Sequence, residues 1–324
     1  MEHWQKIFQN NIRSYDELRE LIPLPNTLSP FPKFPLNIPR RLVEKMEPGD
    51  FNDPLFLQFV PLASELIATP GFVNDPVSDE AAARTTKLLH KYKGRALLLV
   101  SSACAMHCRY CFRQKYPYEK DVKEYEKELA IIEADPSITE VILSGGDPLS
   151  KGNSALGLLL EALDAIPHVK VIRFHSRFPI GIPERISDEF ISLLKGISTQ
   201  IVFILHVNHA RELDADVVQS MKKLMALGIP VLSQSVLLRG INDSLPRLKE
   251  LVLSLIHAGI VPYYLHQLDR VQNTAHFEVD PEDGIALIEQ LRKEVPGYAV
   301  PTYVQEIGGE ASKTPLHSVE CLQA

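Results

Sequence analysis

From Arg95 onward, short apolar runs alternate with longer amphipathic stretches, and this alternation limits the fold more than any other feature of the chain. The runs ALLLV, EVILSGG, VKVIRFHS, QIVFILHV, PVLSQSVLL, VPYYLHQLD and YAVPTYVQE read as strands. Between them, SALGLLLEALDAI, SDEFISLLKGI, DADVVQSMKKLMALG and PEDGIALIEQLRKEV repeat an apolar residue every three or four positions and read as helices. A strand, a helix and a second strand in succession place the two strands parallel, joined by a right-handed crossover. About seven such units predict an α/β protein, a full or partial (β/α) barrel with its chemistry on loops at the strands' C-terminal ends. The preceding residues differ in texture, holding many of the 24 prolines among short amphipathic pieces such as IRSYDELRELI. They read as a helical, loop-rich N-terminal extension over 1–89, leaving 90–324 for the barrel.

A chain of 324 residues, 45% of them hydrophobic, can bury a sizeable core. The net charge of -7, without a long basic run, argues against a nucleic-acid or anionic-membrane partner and leaves an amino-acid substrate open. MEHWQKIFQN lacks the basic start and apolar centre of a signal peptide, and no apolar stretch is long enough to span a bilayer, so the expectation is a cytoplasmic protein. The charged run KDVKEYEKE, 120–128, reads as a solvated helix face.

Three of the four cysteines, Cys104, Cys108 and Cys111, fall within ACAMHCRYCFRQ, directly after the first barrel strand. Crowding of this kind points to a metal or redox role rather than a disulfide framework. A C-x3-C-x2-C loop can turn three thiolates toward one cluster, and a four-iron cluster held by three cysteines keeps one iron open to an outside ligand. A zinc site completed by His107 or Cys321, or three ordinary buried thiols, are the alternatives. SGGDPL, 144–149, ends the next strand with a glycine pair, which lets the backbone approach a ligand closely. His206 and His209 in HVNH read as polar pocket or packing residues, and SRFP, 176–179, as a candidate part of the pocket lining. Lys313, in EIGGEASKTPL, is either a loop lysine or a Schiff-base lysine beside glycines that admit a cofactor.

CAMHCRYC resembles the signature of the radical S-adenosylmethionine (SAM) enzymes, and the fold this implies is a barrel of the radical SAM type. The resemblance implies a 4Fe-4S cluster on Cys104, Cys108 and Cys111, with SAM on the open iron. Gly145, Gly146 and Asp147 resemble the segment that holds the methionyl amine of SAM. Together CRYCFRQ, GGDPL, VLLRGIND, YYLHQLD, GYAVPTYV and SKTP resemble the lysine 2,3-aminomutases, over about Leu88 to Leu316 and at NDPVSD, 74–79. On that resemblance Lys313 is the pyridoxal 5'-phosphate lysine, Arg95 a contact of its phosphate, and Arg113 the arginine that grips the substrate α-carboxylate. Asp269 and Glu306 resemble the two acids that hold the distal ammonium of lysine. A buried carboxylate pair is costly unless a cation lies between its members. Glu306 stands where the family usually has aspartate, and GGEAS where it has four glycines.

The reaction implied is hydrogen abstraction at C3 of (S)-α-lysine and migration of its amino group, giving (R)-β-lysine. The chain stops eleven residues after Lys313 and so resembles the compact bacterial subgroup whose β-lysine is attached to elongation factor P. Expected partners are therefore L-lysine, elongation factor P with its β-lysine ligase, and an electron donor such as flavodoxin. A radical aminomutase for another amino acid, or a non-catalytic zinc or iron-sulfur binding protein, are the rival readings.

Overall fold

In the computed structural model, residues 2–118 and 124–317 are described, and nine strands form one sheet whose spatial order is their order in the chain. They are β1 (Leu88–Tyr92), β2 (Arg95–Ser101), β3 (Glu140–Gly145), β4 (Val171–Ser176), β5 (Gln200–His206), β6 (Val231–Val236), β7 (Val261–His266), β8 (Thr302–Gln305) and β9 (Thr314–Pro315). Strands β2 to β8 are parallel, while β1 and β9 pair antiparallel at the two edges. Among the described residues β1 and β9 do not pair with each other, so the barrel is partial. The YAVPTYVQE run gives less strand than its apolarity suggests. Gly297–Ala299 is a 3-10 turn and the strand begins only after Pro301, which has no N–H to donate.

On β4 the apolar residues turn outward beneath the helices. Ile172 and Phe174 are fully buried, with Phe174 stacked 6.1 Å from Phe203 of β5 and edge-on to Phe190 of the helix Asp188–Lys195. The alternate positions, Arg173 and His175, point into the barrel. The covering helices start where the sequence supplies caps. Asp214 accepts from the N–H groups of Asp216 and Val217, and Asp280 accepts from that of Glu282 beside Pro281 at the first helical position. The charged run departs from expectation: its residues 120–123 lie outside the described residues, and within it Glu128, on the helix Glu126–Ala134, is buried and accepts from Thr85 Oγ1 at 2.7 Å. No helix among the described residues is long and apolar enough to cross a membrane.

The N-terminal residues join the barrel's own core, where Trp4, Ile12, Leu42, Phe56 and Phe59 pack in one cluster with the strand residues. Their polar groups brace the cysteine loop. Asn11 Nδ2 donates to Ala105 O at 2.7 Å, Asn37 Nδ2 to Cys104 O at 3.2 Å, and the Arg109 N–H to Gln58 O at 2.9 Å. Arg109, 1% exposed, is clamped on Glu65 through Nε at 2.7 Å and through Nη2. Replacing Arg109 with alanine leaves Glu65 a buried charge without its partner, at a cost of about 3–5 kcal/mol. We expect a lowered denaturation midpoint for Arg109→Ala, and a smaller loss for the double variant with Glu65→Gln, both read by chemical denaturation.

Candidate active site

The loop after β2 turns Cys104, Cys108 and Cys111 toward a cavity of about 260 Å³ at the C-terminal ends of the strands. Cys104 and Cys111 are buried, and the neighbouring cysteines oppose their ionisation. Burial, then the charges of Cys111, Asp147 and Cys108, push Cys104 well above the usual thiol range, and burial followed by Cys108 pushes Cys111 up to about 11. Ionising them together requires a large positive charge in their midst, which is what a metal cluster supplies. Among the described residues, no three His, Cys, Asp or Glu side chains converge as a single-ion site. His107, one candidate to complete a zinc site, has its Nδ1 2.8 Å from Pro35 O and its ring stacked on Phe34, while Cys321 lies outside the described residues. Arg177, from SRFP, reaches the same thiols: its Nη1 donates to Cys108 Sγ at 2.9 Å, and its Nη2 is held by Glu212 at 2.7 Å and Gln58 at 2.6 Å.

The glycine pair at the end of β3 lies against the cysteine loop and also lines the cavity. Gly145 has φ +117°, and a Cβ there would stand 2.5 Å from Ser101 O. The Gly146 N–H donates to Ser101 O at 2.6 Å and the Asp147 N–H to Ala103 O at 2.8 Å, so the two loops are bonded backbone to backbone. The Asp147 carboxylate is fully engaged within the protein. It accepts from Ser176 Oγ and from the N–H groups of Leu149, Arg177 and Phe178, although burial still raises it to about 6. What Asp147 presents to the cavity is therefore mainly backbone.

Charges lining the same cavity form a chain. Lys313 Nζ donates to Glu306 Oε2 at 2.6 Å, Lys91 Nζ bonds to Glu306 Oε1 at 2.8 Å and Asp79 Oδ1 at 2.7 Å, and Arg113 Nε donates to Asp79 Oδ2 at 2.7 Å. Against the upward push of burial, Lys313 and Lys91 hold Glu306 down at about 2. Asp269 has no side-chain partner among the described residues, and burial, followed by the charge of Glu306, pushes it up to about 7. The structure thus brings Arg113, Asp269, Glu306 and Lys313 together, and Arg95 lines the same cavity with its guanidinium 5.0 Å from the Tyr92 ring centre.

Lys91 and Asp79 were not singled out from the sequence, nor were Arg173, His175 and His266 on the barrel's inner face. His206 does belong to the cavity, with its Nε2 3.1 Å from His175 Nδ1, whereas His209 lies outside it and accepts from the Arg211 N–H. Burial lowers His206 to about 3 and takes His175 and His266 well below the usual imidazole range, so all three are neutral. For Arg173 and His175 the signal was alternation: in VIRFHS they alternate with the apolar Ile172 and Phe174.

A parallel partial barrel with a three-cysteine loop after its first parallel strand defines a radical SAM enzyme, and residues 98–252 match the radical SAM superfamily. Similarity continues beyond that region. The chain is 43% identical to L-lysine 2,3-aminomutase of Escherichia coli over 87% of this chain and 83% of the relative, and 38% identical to that of Haemophilus influenzae over 97% and 95%. It is 33% identical to that of Clostridium subterminale over 97% of this chain and 77% of the relative. The chain belongs to the lysine 2,3-aminomutase family, radical SAM isomerases whose chemistry implies a 4Fe-4S cluster, SAM and pyridoxal phosphate.

The residues present fit those groups. Three thiols lining one cavity suit a cluster of high positive charge, and among the described residues six cationic against four anionic side chains around the cavity suit an anionic cofactor. His175 Nε2 and His266 Nε2 are buried with no hydrogen-bond partner among the described residues, which leaves polar atoms for a ligand to satisfy. A Cβ on Gly146 would stand 2.5 Å from Ala103 O and 2.8 Å from Ser102 C, so Gly146→Ala must displace the cysteine loop. We expect this variant to keep its far-ultraviolet circular dichroism and to lose most of its iron after anaerobic reconstitution, measured by metal analysis.

Proposed function

We propose that this cavity binds L-lysine and carries its amino group from the α to the β carbon, giving β-lysine. The observation that supports it best is one cavity lined both by three thiols and by a lysine, Lys313, held 2.6 Å from a carboxylate. In this reading Cys104, Cys108 and Cys111 hold the cluster, and Gly145, Gly146 and the backbone of Asp147 border SAM. Lys313 and Arg95 hold pyridoxal phosphate. Arg95 suits the phosphate because it makes no ion pair among the described residues. When bound, SAM on the cluster supplies a hydrogen-abstracting radical and pyridoxal phosphate a π-system for the migrating nitrogen.

The protein's own part is to bind, orient and shield. Arg113 presents a planar fork to the α-carboxylate, which a lysine could meet only as a point charge. Glu306 stays ionised and fixes Lys313 Nζ within the cavity. Both Glu306 oxygens already face lysines, so Asp269 is the acid with room for the distal ammonium of the substrate. The extension 1–89 acts as a cap that keeps water from the reacting carbon. The use of the product for elongation factor P rests on the sequence resemblance, and assaying free L-lysine beside intact elongation factor P tests it.

Two outcomes check the reading. Protein purified without oxygen and supplied with SAM, dithionite and pyridoxal phosphate should convert L-lysine to β-lysine; Lys313→Ala should form none and retain no pyridoxal phosphate, read by absorbance and product chromatography. No β-lysine from the wild type would overturn the assignment. Asp269 gives the pH dependence. Its raised pKa of about 7 makes it neutral below that pH, and a neutral carboxyl cannot pair with an ammonium. Thus kcat/KM for lysine should fall roughly tenfold per pH unit below about pH 7, and Asp269→Asn should be uniformly weak with that limb removed.

A further inference from the structure

We infer that Asp79 is a positioning residue of the substrate site, holding the Arg113 guanidinium at the place of the substrate carboxylate and away from Asp269 and Glu306. The inference rests on the reading of this cavity as a lysine site. Asp79 is only 2% exposed, and its carboxylate takes Arg113 Nε at 2.7 Å and, at 3.4 Å, Nη2. The Nη1 end of the guanidinium has no hydrogen-bond partner among the described residues and remains for a ligand. The second oxygen side holds Lys91 at 2.7 Å, so one buried acid anchors two of the cations in the cavity.

Asp79 reaches this position from outside the barrel, on a segment built to deliver it. Val73 N–H donates to Arg270 O and Gln272 N–H to Val73 O, both at 2.9 Å, which lays the segment alongside Asp269. Ser78 then takes a left-handed backbone, φ +56°, a conformation that costs a non-glycine residue about 1 kcal/mol. Asp75 pins the backbone just beyond Ser78, accepting from the N–H groups of Asp79 at 2.9 Å and Glu80 at 3.0 Å. A strained residue and a dedicated acceptor are used to aim a single carboxylate.

The reason such an anchor matters is the composition of the cavity. Arg113 lies within electrostatic reach of both Asp269 and Glu306. A guanidinium on a flexible arm beside two desolvated carboxylates lowers its energy by pairing with them, and that pairing would occupy the place of the substrate. Asp79 offers a closer, pre-formed partner and so keeps the two ends of the site apart. Against the upward push of burial, Arg113 and Lys91 hold Asp79 below the usual carboxylate range, so the anchor is charged at neutral pH.

The test is steady-state kinetics of the fully loaded enzyme with Asp79→Asn and Asp79→Glu. For Asp79→Asn, KM for L-lysine should rise roughly tenfold or more while kcat changes far less, and Asp79→Glu should recover part of the loss. Inhibition by 1,5-diaminopentane, which has no carboxylate for Arg113, should weaken much less than lysine binding. An unchanged KM, or kcat and KM failing together with diaminopentane binding equally impaired, overturns the inference. Should Asp79→Asn not fold, Asp75→Ala removes the acceptor that places Asp79 and should give the same split in weaker form. A wild type that fails to convert lysine overturns the functional reading itself, and is recognised before any variant is compared.

Discussion

Among the described residues ten charged side chains line one cavity at the mouth of the barrel, and the rest of the molecule is arranged around keeping them there. A charge taken out of water needs a partner, a ligand or a shifted pKa. All three solutions are present. Arg113, Asp79, Lys91, Glu306 and Lys313 neutralise one another in sequence, Asp269 and Asp147 respond to burial by rising to about 7 and about 6, and the excess of cations suits an anionic cofactor. The same cavity keeps three histidines neutral. These groups are spread over many strands and loops, so the site exists only when the parallel sheet is assembled.

The proline-rich extension answers to the same constraint. A loop that presents three thiols cannot also bond itself into regular structure, and its backbone groups need partners from elsewhere. Asn11, Asn37 and Gln58 supply them from three separate pieces of the extension. Gln58 serves twice, since its side chain also takes Arg177 Nη2 while Arg177 faces Cys108. Asn11 follows the helix His3–Gln9, Asn37 lies in a proline-rich loop, and Gln58 sits on the helix Pro54–Phe59, which Pro54 starts at its first position. The short, separate elements of the first ninety residues thus reach several points of one loop at once.

The parallel strands and the cysteine loop were legible because both are local: an apolar run bounded by turns, and thiols within a few positions of one another. Lys313 and Arg113 became legible only through resemblance. Lys91 and Asp79 were not, since a lysine in LHKYKG and an aspartate in NDPVSD look like surface residues until the sheet brings β1 beside the Lys313 loop. Glu128 shows the converse error, a residue in a charged run that is buried against Thr85. Sequence periodicity says which face of an element is apolar. It does not say which polar residue another segment will cover.

The departure at GGEAS becomes intelligible on the structure. A Cβ at Gly308 would collide with the Ser78 side chain, and Gly309 adopts φ +88° with open space around it. Gly308 is therefore required by packing against the segment that carries Asp79, and Gly309 by backbone conformation. Glu310, Ala311 and Ser312 are exposed, and no contact calls for glycine there. The loop has glycine where space or dihedral demands it and other residues at exposed positions. Glu306 fits the same logic: a carboxylate that must meet Lys91 from one edge and Lys313 from the other, at 2.8 and 2.6 Å, is served by the longer of the two acidic side chains. Lys91 on β1 and Lys313 thus hold the two oxygens of one carboxylate at the cavity wall.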